Sequence, residues 1–441
     1  MENKLEKVVA LCKRRGFVFP GSEIYGGLAG FYDFGPLGVA MKNNLKSLWW
    51  QWMTKEHEDI VGIDGAIITH PKVWEASGHV QNFVDPLVEC KKCHHRFKAD
   101  DITGDTCPDC EGSLTEPKVF NILVPTKLGI IEGEKTDAYL RGEACQTIYL
   151  DYKSVLDTTR VKIPFGICQI GKAFRNEVTP GNFLYRQREF EQWDLQWFCH
   201  PSEMEKWFAY WKKERMNWYK SIFTNPENLG FYQHEKLAHY AKQAFDIEYT
   251  ASPIGKEMEG IHWRGDWDLS RHSEYSGQDL SYTDPETNEK FTPNIVETSG
   301  GVDRTFLFLL LDAYTEEPDR VVLKLQPKIA PYKAAVFPLL KNKSELVEKA
   351  REVYKNLKIQ TGLNIVWDDR GNIGKRYYSQ DEIGTVIGIT ADFETLENNT
   401  VTLRDRDTAK QIRAHVDNLK EIIQKVVDGE DLLTLGELVI K

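Results

Sequence analysis

The chain has 441 residues and a net charge of −11, with 41 % hydrophobic and 12 % aromatic side chains. That apolar content excludes a disordered chain, and the length corresponds to about three domains at roughly 150 residues each. The longest apolar run, residues 306–311, is far short of the roughly 20 residues that a membrane-spanning helix needs. The first fifteen residues are charged and hold no apolar signal core, so a cytoplasmic protein without a membrane span is expected. The acidic balance argues against indiscriminate nucleic-acid binding but allows a local basic surface.

In chain order, a basic helical stretch over 4–15 leads into glycine-rich backbone over 21–31, interleaved with aromatics. Gly35-Pro36 then opens a long helix. Its Leu45, Leu48, Trp49 and Trp52 form one apolar stripe, suited to a core and wide enough for a subunit interface. Residues 66–68 read as a strand stopped by Pro71. Residues 86–117 form a compact cysteine-bearing insertion. Strands are predicted at 119–124, 147–149, 167–170 and 193–198, and a helical insertion at 201–245. A strand over 294–298 precedes a helix over 306–314, and the proline-marked stretch 325–331 separates two domains. Beyond it, strands at 334–340, 364–367, 386–390 and 400–403 alternate with helices at 344–357, 373–379 and 408–427, the pattern of a small α/β domain.

Cys90-x2-Cys93 and Cys107-x2-Cys110 stand thirteen residues apart. Two such knuckles can place four thiolates around one tetrahedral Zn²⁺, a closed and therefore structural site. Pro108, Gly104 and Gly112 suit the turns, and His94 or His95 could replace one thiolate. Cys12, Cys145, Cys168 and Cys199 are scattered and read as buried thiols.

Residues 160–190 hold six basic side chains, Arg160, Lys162, Lys172, Arg175, Arg186 and Arg188, against two acidic ones, Glu177 and Glu189. Within them, Phe174-Arg175-Asn176-Glu177, a Thr-Pro-Gly-Asn loop and Arg188-Glu189-Phe190 describe a strand–loop–strand. An arginine fork for phosphate and a phenylalanine face for a flat base can meet there. Downstream, Glu297-Thr298-Ser299-Gly300-Gly301-Val302-Asp303-Arg304 reads as a strand end, a glycine turn and a helix start. Its glycines let a ligand approach the backbone.

Together with the proline-ended N-terminal segment, these two elements resemble motifs 1, 2 and 3 of class II aminoacyl-tRNA synthetases. Residues 16–20, 23–28, 31–38, 70–79, 171–177, 188–192, 371–384 and 400–407 are similar to glycyl-tRNA synthetases of the homodimeric type. The resemblance covers nearly the whole chain. It departs locally: Arg141-Gly142-Glu143-Ala144-Cys145-Gln146 stands where those enzymes usually read Arg-Pro-Glu-Thr-Ala-Gln, and Asp194 stands for a glutamate.

The resemblance implies an α+β fold: an antiparallel catalytic sheet flanked by helices over 1–326, carrying a zinc-ribbon-like insertion at 86–117 and the helical insertion at 201–245. An α/β anticodon-binding domain follows at 331–441. It implies ATP with Mg²⁺, glycine and tRNA(Gly) as partners, structural Zn²⁺ and a homodimer. Arg175 would meet the α-phosphate and serve, with Arg304, as a catalytic residue. Phe190 and Arg304 would enclose adenine, and Glu177 would accept from its amino group. Glu143, Glu257, Glu297, Ser299 and Arg141 would surround glycine, with Glu259 a rival of Glu257. Lys375, Arg376, Arg404 and Arg406 are candidate RNA contacts.

Overall fold

The computed structural model describes every residue except Met1, Asp100, Asp101, Thr103, Glu132, Lys236, residues 238–240, Ile440 and Lys441. Parts of the expected insertions at 86–117 and 201–245 therefore lie outside the described residues.

Seven strands build the central sheet: β1 (Ile60–Gly62), β2 (Phe165–Phe174), β3 (Glu189–Cys199), β4 (Leu229–Gln233), β5 (Gln243–Tyr249), β6 (Glu257–Gly265) and β7 (Asn294–Gly301). Their order across the sheet is β4-β5-β6-β7-β3-β2-β1. Every pairing is antiparallel except β1 with β2. The β2–β3 ladder runs unbroken from Phe165↔Phe198 to Phe174↔Glu189.

Alternation along β3 and β7 gives the sheet two unlike faces. Trp193, Leu195 and Trp197 of β3 and Val296 of β7 are buried on one face. Helices α1 (Glu2–Arg15), α2 (Pro36–Lys55), α3 (Cys145–Thr159), α4 (Met204–Ile222), α5 (Trp267–Ser276) and α6 (Val302–Ala313) surround the sheet. Trp49 of α2 stacks on Trp193 at 5.8 Å, and Trp218 and Trp211 of α4 meet Trp193 and Trp197 at 5.3 and 5.2 Å. Each such ring buries 150–250 Å² by type, so this face supplies much of the hydrophobic stabilisation. The aromatic stripe of α2 is thus spent on its own chain. The other face carries Gln192, Asp194 and Gln196 of β3 with Glu297, Ser299 and Gly301 of β7. At its lower end, Phe198 and Ile295 pack under α3 and α5. At its upper end it stays open.

The cysteine insertion folds around a three-stranded sheet, with Val84–Glu89 between Arg96–Lys98 and Lys118–Asn121. The C-terminal sheet has six strands. Ala334–Pro338 lies parallel to Ile365–Trp367 and Ile387–Ala391, and Thr400–Asp405, Gln411–His415 and Glu437–Leu438 continue it antiparallel. The expected plan is present: an antiparallel catalytic-type sheet flanked by helices, a cysteine module and a C-terminal α/β unit.

Several elements differ from expectation. Residues 147–149 are helical, inside α3, because Ile148, Tyr152 and Val155 continue a 3.6-residue period beyond the short β-branched run. The stretch 119–124 divides between Lys118–Asn121 and Val124–Leu128, which belong to different sheets. Helix covers only Met204–Ile222 of 201–245, because Pro226 and Gly230 break it and β4 and β5 follow. The helix expected over 408–427 begins only at Leu419. Buried Ile412 and Ala414 alternate with Gln411 and Arg413 in a strand before it.

The candidate RNA contacts Arg376, Arg404 and Arg406 are 1, 5 and 3 % exposed. Arg404 forks onto Asp381 at 2.8 and 3.0 Å, and Arg376 donates to the carbonyls of Pro338 and Gly371. These arginines hold the domain together, and only Lys375 of the four faces solvent.

Candidate functional site

The open end of the sheet forms a cleft lined by Arg175, Glu177, Phe190, Glu257, Ser299 and Arg304, among others. Strand pairing brings these distant residues together. Ala173 pairs with Phe190 on β2 and β3, Asp194 with Ser299, and Ser299 in turn with Gly260. The loop after β2 folds back so that the Arg175 amide donates to the Arg188 carbonyl at 2.9 Å.

Arg175 is held from three sides. Its Nε donates to the Gly142 carbonyl at 3.1 Å, and its guanidinium lies 5.0 Å from the Phe83 ring and 5.3 Å from the Phe190 ring. Arg304, in the first turn of α6, donates from Nε to the Tyr185 carbonyl at 3.0 Å and lies 4.5 Å over the Tyr185 ring. Its Nη1 is 3.0 Å from Glu257. The Arg304 cation, working against burial, holds the Glu257 carboxyl below the usual range. Burial raises Glu177, with Arg175 opposing.

Glu257 and Glu259 are two residues apart yet face opposite ways. Ile247 pairs with Glu259 and Glu248 with Glu257, so Met258 is the extra residue of a bulge that reverses the alternation. Glu257 reaches the cleft. Glu259 is fully buried on the tryptophan face, where it accepts from Arg215 Nε at 2.5 Å, Trp193 Nε1 at 3.0 Å and Tyr219 Oη at 3.0 Å.

Beneath the cleft lies a dense acidic floor. Glu297 is 3 % exposed and accepts from Gln196 at 3.0 Å, His262 at 2.6 Å and Arg264 at 2.9 Å. It is buried, yet Arg264 lowers its pKa to about 2. Arg264 also forks onto Asp268 at 2.7 and 2.9 Å. Asp194 accepts from Ser299 at 3.0 Å and from Gln196. Glu143 accepts from Cys145 and Gln146 and sits 3.0 Å from His79. Arg141 is 1 % exposed. It donates to the carbonyls of Lys172 at 2.6 Å and Gly65 at 3.0 Å, which fixes β2 against the loop that carries Gly65. Sequence reasoning missed Arg264, Asp268, His262 and His79. His262 and Arg264 lie on β6, Asp268 on α5 and His79 on the short helix His79–Asn82, and only tertiary contacts bring the four to the floor.

The four insertion cysteines bring their Sγ atoms within 4.8 Å of one another. Both knuckles take the same shape, with His94 and Glu111 left-handed after the second cysteine of each pair. The amides of Lys92 and Cys93 donate to Cys90 Sγ at 3.3 and 3.4 Å. A Cβ on Gly112 would meet Cys90 Sγ at 2.9 Å, so only glycine closes this cradle. His94 and His95 pair instead with Glu89 at 3.3 Å and Asp109 at 2.5 Å. The donor set and its spacing fit a tetrahedral metal ion.

Two family profiles match the chain: "tRNA synthetase class II core domain (G, H, P, S and T)" over residues 129–314 and "Anticodon binding domain" over 333–426. Curated relatives include glycine–tRNA ligases of Thermobifida fusca, 48 % identical over 96 % of this chain and 98 % of that protein, and of Treponema denticola, 49 % identical over 93 % and 94 %. A third, from Borrelia garinii subsp. bavariensis, is 46 % identical over 96 % and 97 %. Identity of this extent over nearly the whole chain means that the chain belongs to the glycine–tRNA ligase family of class II synthetases.

Proposed function

We propose that the chain joins glycine to ATP as glycyl-adenylate, releasing pyrophosphate, and then transfers glycyl to the 3′-terminal ribose of tRNA(Gly). The observation that carries this reading is the convergence of Arg175, Phe190 and Arg304 on one cleft directly above the acidic floor. The chain's work is positioning and charge stabilisation. Phe190 and Arg304 enclose adenine, Glu177 accepts from its amino group, and Arg175 meets the α-phosphate where charge grows as the glycine carboxylate attacks. Glu257 pairs with Arg304 and ties the nucleotide side to the amino-acid side. Glu143, with Glu297 and Asp194 behind it, supplies the field for the glycine ammonium. Ser299 narrows the pocket, and Arg141 fixes its wall. Glycine is the smallest substrate, so selection rests on exclusion rather than attraction. Mg²⁺ accompanies ATP and neutralises its phosphates.

Cys90, Cys93, Cys107 and Cys110 hold one Zn²⁺ as a structural ion. The catalytic domain spans 1–326 with insertions at 86–117 and 201–245, and the anticodon-binding domain spans 331–441. The protein works in the cytoplasm as a homodimer. The nearly fully exposed Ile24 and Tyr25 on the glycine-rich loop support an interface there. No helix among the described residues is long and apolar enough to cross a membrane.

The test is amino-acid-dependent exchange of pyrophosphate into ATP across the twenty amino acids. Exchange with glycine alone is expected. Exchange that is equal with alanine, or absent with glycine, rejects the reading.

A further inference from the structure

Glu143 is the one acid of the floor whose donors all fall on a single oxygen. His79 Nε2 lies 3.0 Å from Oε1, Cys145 Sγ donates to it at 2.9 Å and Gln146 Nε2 at 3.0 Å. None of the hydrogen bonds among the described residues uses Oε2. Cys145 and Gln146 belong to the same turn as Glu143, so they move with it. His79 comes from a separate segment, the short helix His79–Asn82, and it alone ties the carboxylate to another part of the fold.

The imidazole is itself fixed. It is 4 % exposed, its Nδ1 is 2.8 Å from Ser77 Oγ, and its ring meets the edges or faces of Trp74 and Phe83 at 5.1 Å each. Phe83 in turn lies 5.0 Å under the Arg175 guanidinium. On either side of Glu143, the Gly142 carbonyl accepts from Arg175 and the Ala144 amide donates to Gln192, both residues of the cleft wall.

We propose that His79 is a positioning residue for the substrate ammonium, occupying Oε1 of Glu143 so that Oε2 is presented to the amino acid. This rests on the glycine-activating reading above. The ring's packing serves its orientation, and the N–H serves the substrate.

Two substitutions separate these roles in the full-length protein. His79→Phe keeps a ring among Trp74 and Phe83 and removes the donor. His79→Gln loses the ring but places an amide N–H where Nε2 stands. With pyrophosphate exchange as the assay, His79→Phe is expected to raise KM for glycine by about tenfold, the scale of a lost hydrogen bond to a charged group, with KM for ATP unchanged. His79→Gln should stay within about threefold of the parent. The reverse order, or parallel rises in both KM values, makes His79 a packing residue and overturns the proposal. So does an unchanged KM for glycine in His79→Phe. If His79→Phe does not fold, Ser77→Ala reads the same link. A selective rise in KM for glycine supports the proposal, and no change overturns it. A parent protein without glycine-dependent exchange would reject the function itself, a separate outcome.

Discussion

Asp194 lies fully buried on β3, and its carboxylate comes within 4.8 Å of those of Glu297 and the thiol of Cys145. Burial first, and then the like charge of Glu297, raise its pKa well above the ordinary carboxylate range. The folded protein therefore keeps this proton at pH values where the unfolded chain has released it. By linkage, stability falls as pH rises from about 4, the ordinary aspartate value, up through the raised one. Asp194→Asn removes that titration, so urea unfolding of the variant should depend less on pH above the ordinary aspartate value. An ammonium needs the ionised carboxylate. Glycine affinity of the parent should thus increase with pH in the same window, while Asp194→Asn shows a lower and flatter profile in glycine-dependent exchange. Arg304 differs, because it faces the cleft, where the proposed reading puts the nucleotide, rather than the core. Arg304→Ala should lower adenylate formation about 10²-fold or more, as for loss of a preorganised charged donor, with a nearly unchanged melting temperature. Near-normal exchange would remove Arg304 from the site.

Elements explain why two glycines stand together at the end of β7. A Cβ on Gly300 would lie 2.2 Å from Trp193 Nε1 and 2.7 Å from Glu259 Oε2. Trp193 is wedged between Trp49 and Trp218, so it cannot yield. Gly300→Ala should destabilise the protein by about 1–3 kcal/mol or more, measured by urea unfolding, through overpacking beside a buried ion pair. The same elements show what the residue pattern reveals and what it hides. The helix–turn chemistry of Pro36 and Gly35, the paired cysteine knuckles and the Ser299–Arg304 turn are local features, and local features are legible. Helix α3 was obscured because Thr147, Ile148 and Tyr149 carry β-branched and aromatic character in a run too short to show its period. The strand Gln411–His415 was merged with the helix after it because no glycine or proline separates them. Arg404 and Arg406 alternate with Asp405 and Asp407, and that local pattern reads as an exposed RNA-contacting strand. Their burial is set by Asp381 and Gly384, more than twenty residues away in sequence, which no local pattern encodes. The acidic floor was half legible: Glu143 and Glu297 sit in motifs, whereas Arg264 and His79 reach them only through tertiary contacts.

At the scale of the whole molecule, the cysteine module is joined to the site it does not enter. Its two ends are Val84, following the helix His79–Asn82, and Asn121, and these two residues pair with each other. Asn121 Nδ2 donates to the carbonyls of His79 at 3.0 Å and Val80 at 2.9 Å. The next residue, Ile122, donates its amide to the Phe83 carbonyl at 3.1 Å and accepts from the Asn176 amide at 2.7 Å. The module thus closes a clamp on the segment that carries His79 and Phe83, and so on Glu143 and Arg175. Its own sheet has little apolar material: Lys118–Asn121 is exposed throughout, and Val88 with two of the cysteines supplies most of its buried side chains. With the Zn²⁺ proposed above, a module of this kind would draw its fold from the metal. Metal analysis of the purified protein should give about one zinc per chain. Removing it with a chelator should open residues 86–117 to proteolysis and faster amide exchange, leaving the central sheet, with its own tryptophan core, folded. Because the clamp loosens, KM for glycine should rise as the zinc is lost and return when Zn²⁺ is restored. A chelated protein with an exposed module but an unchanged KM would show that the clamp holds without its metal. Absence of zinc together with four freely titrating native thiols would reject the site altogether.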